Sequence, residues 1–133
     1  MEKRFLNDTN ILIYFLKDEI PLPALARHGF LSSEPFFISV ISQIEFLGWD
    51  GFSPEQFELA RSFLDGAKII PIDEDIVTQA IQLRRNSKIK LPDAVIAATC
   101  IARGMILVTR NEKDFRNISE LQVLNPFSEI TAG

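Results

Sequence analysis

The sequence predicts a three-layer α/β/α fold with a central parallel sheet of four to five strands. Three observations support this prediction. Short apolar runs of strand length alternate with longer stretches in which apolar residues recur at helical spacing, a pattern typical of parallel sheets covered on both faces. Apolar residues make up 47% of the chain, which is enough to bury a core. With 133 residues and no internal repeat or linker, residues 1–133 are expected to form a single domain.

The first half of the chain predicts two strands and three helices. Residues 4–7 form the first predicted strand, and residues with helical apolar spacing follow it. Residues 22–31 predict a second helix, and residues 36–39 predict the second strand. The next helix begins near Ser39 or Ser42. Three polar residues are placed to cap the first helix: Asp8, Thr9 and Asn10.

The middle of the chain contains a strong helix start at residues 53–56, which read Ser-Pro-Glu-Gln. Serine is a favourable N-cap, proline suits the first helical position, and glutamine completes a capping box. We expect this helix to run to about Leu64. Residues 68–72 predict the third strand, and Asp73 can cap a long helix that ends near Asn86.

The last third predicts a helix followed by two strands. Pro92 opens a helix over residues 94–103, and Gly104 is placed to end it in the left-handed conformation. Residues 105–109 are nearly all apolar, as expected of a central strand covered on both faces. Residues 121–124 predict a short fifth strand.

The charge distribution constrains the class of function. A formal net charge of -4 excludes a protein that coats nucleic acid by bulk positive charge. The charges are unevenly placed, however. Residues 84–116 hold eight basic and three acidic side chains, a net of +5, which leaves -9 for the rest of the chain. A nucleic-acid enzyme therefore remains compatible with the composition.

The cysteine and histidine content narrows the chemistry further. Cys100 is the only cysteine, so no intrachain disulfide forms and a cytoplasmic location is expected. His28 is the only histidine, which argues against Ser-His-Asp or Cys-His catalysis. No apolar run approaches the roughly 20 residues of a membrane span, so no membrane association is expected.

Candidate site residues lie where predicted strands end. Asp8 follows the first strand, and Asn111 and Asp114 follow the fourth. Because ligands of open parallel sheets bind at the carboxyl ends of strands, these side chains are expected at one edge. Asp93 lies at the start of a helix, and Glu45 is a charge among apolar neighbours in another.

Each of these acids also has an ordinary structural explanation. Asp8 and Asp93 can serve as helix caps or first-turn acids, Glu45 can be exposed on an amphipathic helix, and Asp114 can pair with a neighbouring base. Together they suggest a metal site. Two carboxylates about 4 Å apart repel by roughly 4 kcal/mol at an effective dielectric constant near 20, so a cluster needs a counter-charge. All-oxygen ligands suit Mg²⁺ or Mn²⁺ rather than zinc.

Four ordered motifs carry a resemblance to a known family. They read LNDTNIL at residues 6–12, ISVISQIE at residues 38–45, KLPDAVIAAT at residues 90–99 and LVTRNEKDF at residues 107–115. In order and spacing they resemble the motifs of PIN-domain nucleases, above all the VapC-type toxins of bacterial and archaeal toxin–antitoxin pairs. The resemblance spans nearly the whole chain.

The resemblance implies a metal-dependent endoribonuclease that uses Mg²⁺, with Mn²⁺ as an alternative. The residues that match its catalytic and metal-binding positions are Asp8, Glu45, Asp93 and Asp114. Relatives differ in whether the fourth acid stands at position 111 or 114. The resemblance favours Asp114, with Asn111 as a neutral ligand or hydrogen-bond partner. Thr9 and Thr109 match hydroxyl residues that orient the carboxylates or bound water, and Asn10 is a further supporting residue. Candidates for gripping RNA phosphates are Arg84, Arg85, Lys88, Lys90, Arg110, Lys113 and Arg116.

The resemblance also implies partners: an RNA substrate, a VapB-type antitoxin and a second copy of the chain in a homodimer. Candidate surfaces for them include Ile13, Tyr14, Leu22, Leu25, Phe46 and Trp49, for which burial in the core is an equal explanation. Two alternatives stay open. One is a housekeeping PIN nuclease that processes RNA, and the other is a catalytically inactive PIN-like or receiver-like binding module. A receiver needs an acidic pair after its first strand, where this chain has Asp8 alone.

Overall fold

The fold is built on a five-stranded sheet in which every strand pairs in parallel with its neighbours. The computed structural model describes residues 3–20 and 35–128. The strand order is β3-β2-β1-β4-β5, so β1 lies at the centre. The predicted parallel sheet is therefore confirmed, with five strands. The strands are β1 (Phe5–Asn7), β2 (Phe36–Ser39), β3 (Ala67–Ile70), β4 (Ile106–Val108) and β5 (Val123–Leu124).

Five α-helices connect the strands within the described residues. They are α1 (Thr9–Leu16), α2 (Val40–Leu47), α3 (Pro54–Phe63), α4 (Glu74–Asn86) and α5 (Leu91–Arg103). Two 3-10 turns, Leu64–Gly66 and Glu112–Phe115, follow α3 and β4. The helix predicted over residues 22–31, with His28, lies outside the described residues. None of the helices in the described part of the chain is long and apolar enough to cross a membrane.

The helix ends follow the signals in the sequence. The Ser53 hydroxyl accepts the Gln56 N–H and the Gln56 side chain accepts the Ser53 N–H, which completes the predicted capping box. Ser39 caps α2, and Asp73 caps α4. Gly104 ends α5 with φ of 64°, in the left-handed region that glycine adopts without strain.

Two predicted boundaries are wrong. The helix predicted over residues 94–103 begins at Leu91. The third strand ends at Ile70 instead of residue 72, because Pro71 has no N–H to extend the ladder. The helix after β2 ends at Leu47, so Trp49 lies beyond it. The other strand limits differ from the prediction by one or two residues.

The core has two parts, as expected of a sheet covered on both faces. On one side, α4 and α5 pack through residues such as Ile76 and Ile96. On the other side, α1 and α2 pack through residues such as Leu12 and Phe46. Because all strands are parallel, β1, β2 and β4 all end at one edge of the sheet, and Asp8, Glu45 and Asp114 follow those ends. Asp93 lies instead in the first turn of α5, the helix that precedes β4.

Candidate active site

Asp8 lies in the turn between β1 and α1 and is 95% buried, with 5% of its surface exposed. One carboxylate oxygen, Oδ1, accepts the Thr9 N–H at 2.8 Å and caps α1. The other, Oδ2, accepts the Thr109 hydroxyl at 2.8 Å and the Asn10 side-chain amide at 3.2 Å. Asp8 therefore caps α1, and its hydrogen bond with Thr109 also connects it to the residue that follows β4.

The environment of Asp8 is costly for a negative charge. Burial raises the pKa of the Asp8 carboxyl above its ordinary value, and the Glu45 and Asp114 carboxylates raise it further. Hydrogen bonds from Thr109 and Thr9 act in the opposite direction by favouring the ionised form. A nearby cation would therefore stabilise the ionised form of the Asp8 carboxyl group.

Glu45 reaches the site from α2. Its Oε1 accepts the Thr9 hydroxyl at 2.6 Å, and that hydroxyl lies 3.0 Å from the buried Ser42 hydroxyl. Glu45 is exposed, as its structural explanation expects, and the Thr9 hydroxyl connects its carboxylate to α1. Ser42 is a site neighbour that the sequence analysis treated only as a helix start. Its spacing of three residues from Glu45 places both on one helix face, which is the signal that was available.

Asp93 lies in the first turn of α5 and is partly buried. Burial is the largest cause of a rise in its pKa to about 6, and the carboxylates of Asp8, Asp114 and Glu45 each raise it further. Lys90 counteracts the rise. The carboxylates of Asp8, Glu45 and Asp114 therefore all lie near enough to Asp93 to act on its charge. The sequence places them up to 106 positions apart.

The two candidates for the fourth position lie on the segment after β4. The Asn111 N–H donates to the Thr109 hydroxyl oxygen at 3.0 Å, which helps to orient the hydroxyl that contacts Asp8. Asp114 lies on the 3-10 turn, and its carboxylate acts on both Asp8 and Asp93. Of the two, Asp114 is the residue whose charge acts on Asp8 and Asp93, whereas Asn111 contacts Thr109.

The donor chemistry of the cluster fits a hydrated divalent cation. Carboxylate oxygens are the ligands that Mg²⁺ and Mn²⁺ prefer. Within the described ranges, no three His, Cys, Asp or Glu side chains come close enough to hold a metal ion by themselves. Mg²⁺ usually keeps several waters and binds through one or two carboxylates, so a complete protein cage is not required. A cation would neutralise the negative charge of these acids and so relieve their mutual repulsion.

Most of the predicted phosphate-gripping residues lie beside this cluster in two clefts. The first, the lysine cleft, has a volume of about 240 Å³ and places Asp93 and Asp114 next to basic side chains. Its basic residues are Lys88, Lys90 and Lys113. The second, the arginine cleft, has a volume of about 420 Å³ and is lined by Tyr14, Asn111, Glu112 and Asp114. Its basic residues are Arg110, Lys113 and Arg116.

Arg84 and Arg85 lie elsewhere. The Arg84 guanidinium donates to the Ile89 carbonyl at 2.8 Å and so supports the loop between α4 and α5. Both arginines line an apolar cleft between those helices, beside exposed residues such as Ile81 and Leu91. The structure therefore separates these two from the five basic residues at the acidic cluster.

Two aromatic side chains hold Arg110 at the arginine cleft: Tyr14, which lines the cleft, and Phe127, whose role no pattern in the sequence indicates. The Arg110 guanidinium lies over the Phe127 ring, 4.3 Å from its centroid, and over the Tyr14 ring at 5.1 Å. The two rings contact each other edge to face, with centroids 5.0 Å apart. No sequence signal joins Tyr14 to a residue 113 positions away, since only the fold brings α1 and the segment after β5 together.

Comparison with known proteins identifies the family. Residues 5–121 match the family model of the PIN domain. A comparison with curated proteins finds no match. Among solved structures, a toxin–antitoxin complex from Klebsiella pneumoniae contains a chain that is 34% identical, with coverage of 91% of this chain and 96% of that one and a TM-score of 0.72.

Two further solved structures extend the likeness. VapBC2 from Rickettsia felis, bound to a DNA fragment from its promoter, is 25% identical, with coverage of 91% and 97% and a TM-score of 0.76. DNA-bound VapBC from Salmonella typhimurium is 22% identical and shares the fold, with coverage of 94% and 99% and a TM-score of 0.79. With the four ordered motifs, these matches show that the chain belongs to the PIN-domain family and resembles its VapC-type members.

Proposed function

We propose that this protein is the toxin of a VapBC-type pair and acts in the cytoplasm as a metal-dependent endoribonuclease. The observation that carries the proposal is the convergence of four carboxylates at the carboxyl edge of the sheet in a PIN-domain chain. Mg²⁺ is the proposed cofactor and Mn²⁺ the alternative, because the donors are oxygens. The proposed ligands and catalytic residues are Asp8, Glu45, Asp93 and Asp114.

The chemistry needs no histidine. A divalent cation held by these carboxylates would supply a hydroxide near neutral pH and would stabilise charge that develops on the phosphate. The protein's own contribution is orientation. Thr109 and Asn10 hold Asp8, and Thr9 holds Glu45, so both carboxylates are fixed before substrate binds. Preorganisation of this kind avoids reorganisation during the reaction.

The antitoxin is proposed to dock on an apolar cleft of about 310 Å³ between α1 and the α2–α3 region. Ile13 and Trp49, two of the predicted surface residues, line it together with Leu59, which is 67% exposed. Phe46 is instead fully buried in the core. The candidate residues Leu22 and Leu25 lie outside the described ranges. A VapB-type antitoxin with an apolar segment fits this cleft, since exposed apolar clefts favour such partners.

Two expectations from the sequence complete the proposal. We propose a single domain for residues 1–133, supported by a family match that extends from residue 5 to residue 121. We also propose a homodimer, which sedimentation of the purified protein tests. A sedimentation coefficient that stays at the monomer value at all concentrations would contradict the dimer.

The direct test is cleavage of RNA by purified protein with Mg²⁺ or Mn²⁺, followed by sequencing of the cut ends. Wild type is expected to cut at defined sites, and Asp8→Asn is expected to reduce the rate by about 100-fold or more. Asparagine is itself a good N-cap, so the fold of this variant should persist. Asp65→Asn removes an exposed acid far from the cluster and is the matched control. Equal cleavage by wild type and Asp8→Asn would contradict the assignment.

A further inference from the structure

We propose that the RNA strand crosses the carboxylate cluster from the lysine cleft to the arginine cleft, with phosphates bound on both sides of the cut. The inference rests on the proposed RNase function and adds to it a binding track. It assigns separate phosphate subsites to Lys88 and Lys90 on one side and to Arg110 and Arg116 on the other.

The two clefts adjoin at the acidic cluster. Lys113 and Asp114 line both of them, so the clefts meet where these residues lie. Asp93 lines the lysine cleft, and its charge is influenced by Asp8, Glu45 and Asp114. A polyanion that fills both clefts therefore passes Asp93 and Asp114, which places one of its phosphates beside two of the proposed metal ligands.

The basic residues of the clefts are available for phosphate. In residues 3–20 and 35–128, the ion pairs join Arg61 to Glu58 and Arg103 to Asp73, and none engages a lysine or arginine of either cleft. Arg84, by contrast, already donates to a backbone carbonyl. Lys90 lies near enough to act on the Asp93 carboxylate but forms no ion pair with it. The basic side chains of both clefts are therefore suited to bind phosphate oxygens.

Arg110 is held against two aromatic rings at the arginine cleft, which its side chain lines. Its guanidinium carbon lies 4.3 Å from the Phe127 ring centroid and 5.1 Å from the Tyr14 ring centroid. A guanidinium beside aromatic rings keeps N–H donors that can bind a phosphate. The Arg110 backbone N–H donates to Asn10 Oδ1 at 3.3 Å, and Asn10 also contacts Asp8. The arginine subsite is thus fixed relative to the proposed catalytic carboxylate.

The test measures binding of a fluorescent single-stranded RNA of mixed sequence, about 12 nucleotides long, by anisotropy over a range of salt concentrations in Ca²⁺ buffer. Two double variants each remove one subsite: Lys88→Gln with Lys90→Gln, and Arg110→Gln with Arg116→Gln. Each is expected to weaken binding about tenfold and to make the plot of log affinity against log salt shallower by about 1.4, the value for two lost contacts to a single strand.

The matched control is Lys3→Gln with Lys68→Gln, which removes the same charge from exposed residues away from the strand ends. This control variant should keep both the RNA affinity and the slope of log affinity against log salt near the wild-type values. Arg116→Gln alone is a second probe of the arginine cleft that leaves the Arg110 stacking intact and should make the slope shallower by about 0.7.

The outcomes separate this inference from the proposed function. If wild type cleaves RNA but either double variant binds like the control, the two-cleft track is wrong and the RNase assignment stands. If the control weakens binding as much as the cleft variants, the effect is one of overall charge and the track is also wrong. If the wild-type protein neither binds nor cleaves RNA, both proposals fail. Loss of affinity in both cleft variants, with an unchanged control, supports the track.

Discussion

Thr109 connects the end of β4 to the proposed catalytic carboxylate. Its hydroxyl donates to Asp8 at 2.8 Å and accepts the Asn111 N–H at 3.0 Å. Thr109→Val keeps the shape of the side chain but removes both bonds, so we expect affinity for Mn²⁺ and the rate of RNA cleavage to fall by about 10- to 100-fold. Thr109→Ser retains the hydroxyl and should remain close to wild type. Calorimetric titration and a cleavage assay measure the two effects, and an unchanged valine variant would contradict this role.

Asp93 makes a prediction about pH. Its pKa is about 6 in the folded protein against 3.8 when unperturbed, so between these values the folded state binds more protons than the unfolded state. The free energy of unfolding of the metal-free protein should therefore fall as pH rises from about 4 to about 6. The contribution is about 2 kcal/mol or less, because solvent screens a partly exposed group.

Asp93→Asn should remove this part of the pH dependence and make the metal-free protein more stable at pH 7 than wild type. Denaturant unfolding at a series of pH values measures it. A wild-type protein that becomes more stable over the same pH range, with no difference in the variant, would contradict the electrostatic account. Added Mn²⁺ should stabilise wild type and have less effect on the variant, since binding to the folded state shifts the unfolding equilibrium.

At the residue scale, the sequence could indicate which acids belong to the cluster but not how they are held. The positions of Asp8 and Asp114 after strands predicted their common edge. The Thr9 bond to Glu45 and the stacking of Arg110 on Tyr14 depend on side-chain directions between distant elements. No local sequence pattern encodes those directions, so these contacts can be identified only from the folded structure.

At the element scale, α5 carries Asp93 and ends at Gly104 with φ of 64°. A Cβ built at Gly104 meets no atom within 4 Å, so the cost of Gly104→Ala is conformational and should be about 1 kcal/mol. Gly104→Asn should cost less, because asparagine tolerates the left-handed region better than alanine. Urea unfolding measures both. Because the site lies at the other end of α5, RNA cleavage should not change; an alanine variant as stable as wild type would contradict the capping role.

The elements themselves were largely predictable because their signals are local. Ser53 with Gln56, Asp73 and Gly104 mark helix ends by hydrogen bonds and backbone conformation within a few residues. The error at the third strand arose because the apolar Ile72 continues the strand pattern, while Pro71 removes a backbone donor. Ile72 is instead 40% exposed after the strand.

At the scale of the whole molecule, the net charge of -4 conceals an acidic cluster with basic clefts on either side of it. The proposed toxin role predicts that expression of this protein alone arrests growth and that co-expression of the adjacent small open reading frame restores it. A housekeeping RNA-processing nuclease or an inactive binding module would not arrest growth. Normal growth on expression of active protein would therefore contradict the toxin role.

The docking cleft for the antitoxin makes a separate prediction. Trp49 is 43% exposed and its ring contacts Phe52 edge to face, with centroids 4.9 Å apart. Trp49→Ala should weaken co-purification with the antitoxin by about tenfold or more, since buried aromatic residues dominate many interfaces, and should leave RNA cleavage intact. Ile44→Ala removes an exposed apolar residue that does not line the cleft and is the control. Equal losses in both variants would contradict the proposed surface.

The central claim is that the four converging carboxylates hold a divalent cation. Calorimetric titration of metal-free protein with Mn²⁺ at pH 7 tests it directly, with Asp8→Asn and Asp93→Asn beside wild type and Asp65→Asn as the control. We predict saturable binding to wild type and the control, and binding at least about tenfold weaker in the two cluster variants. Absence of binding to wild type, or equal affinity in all four proteins, would contradict the claim.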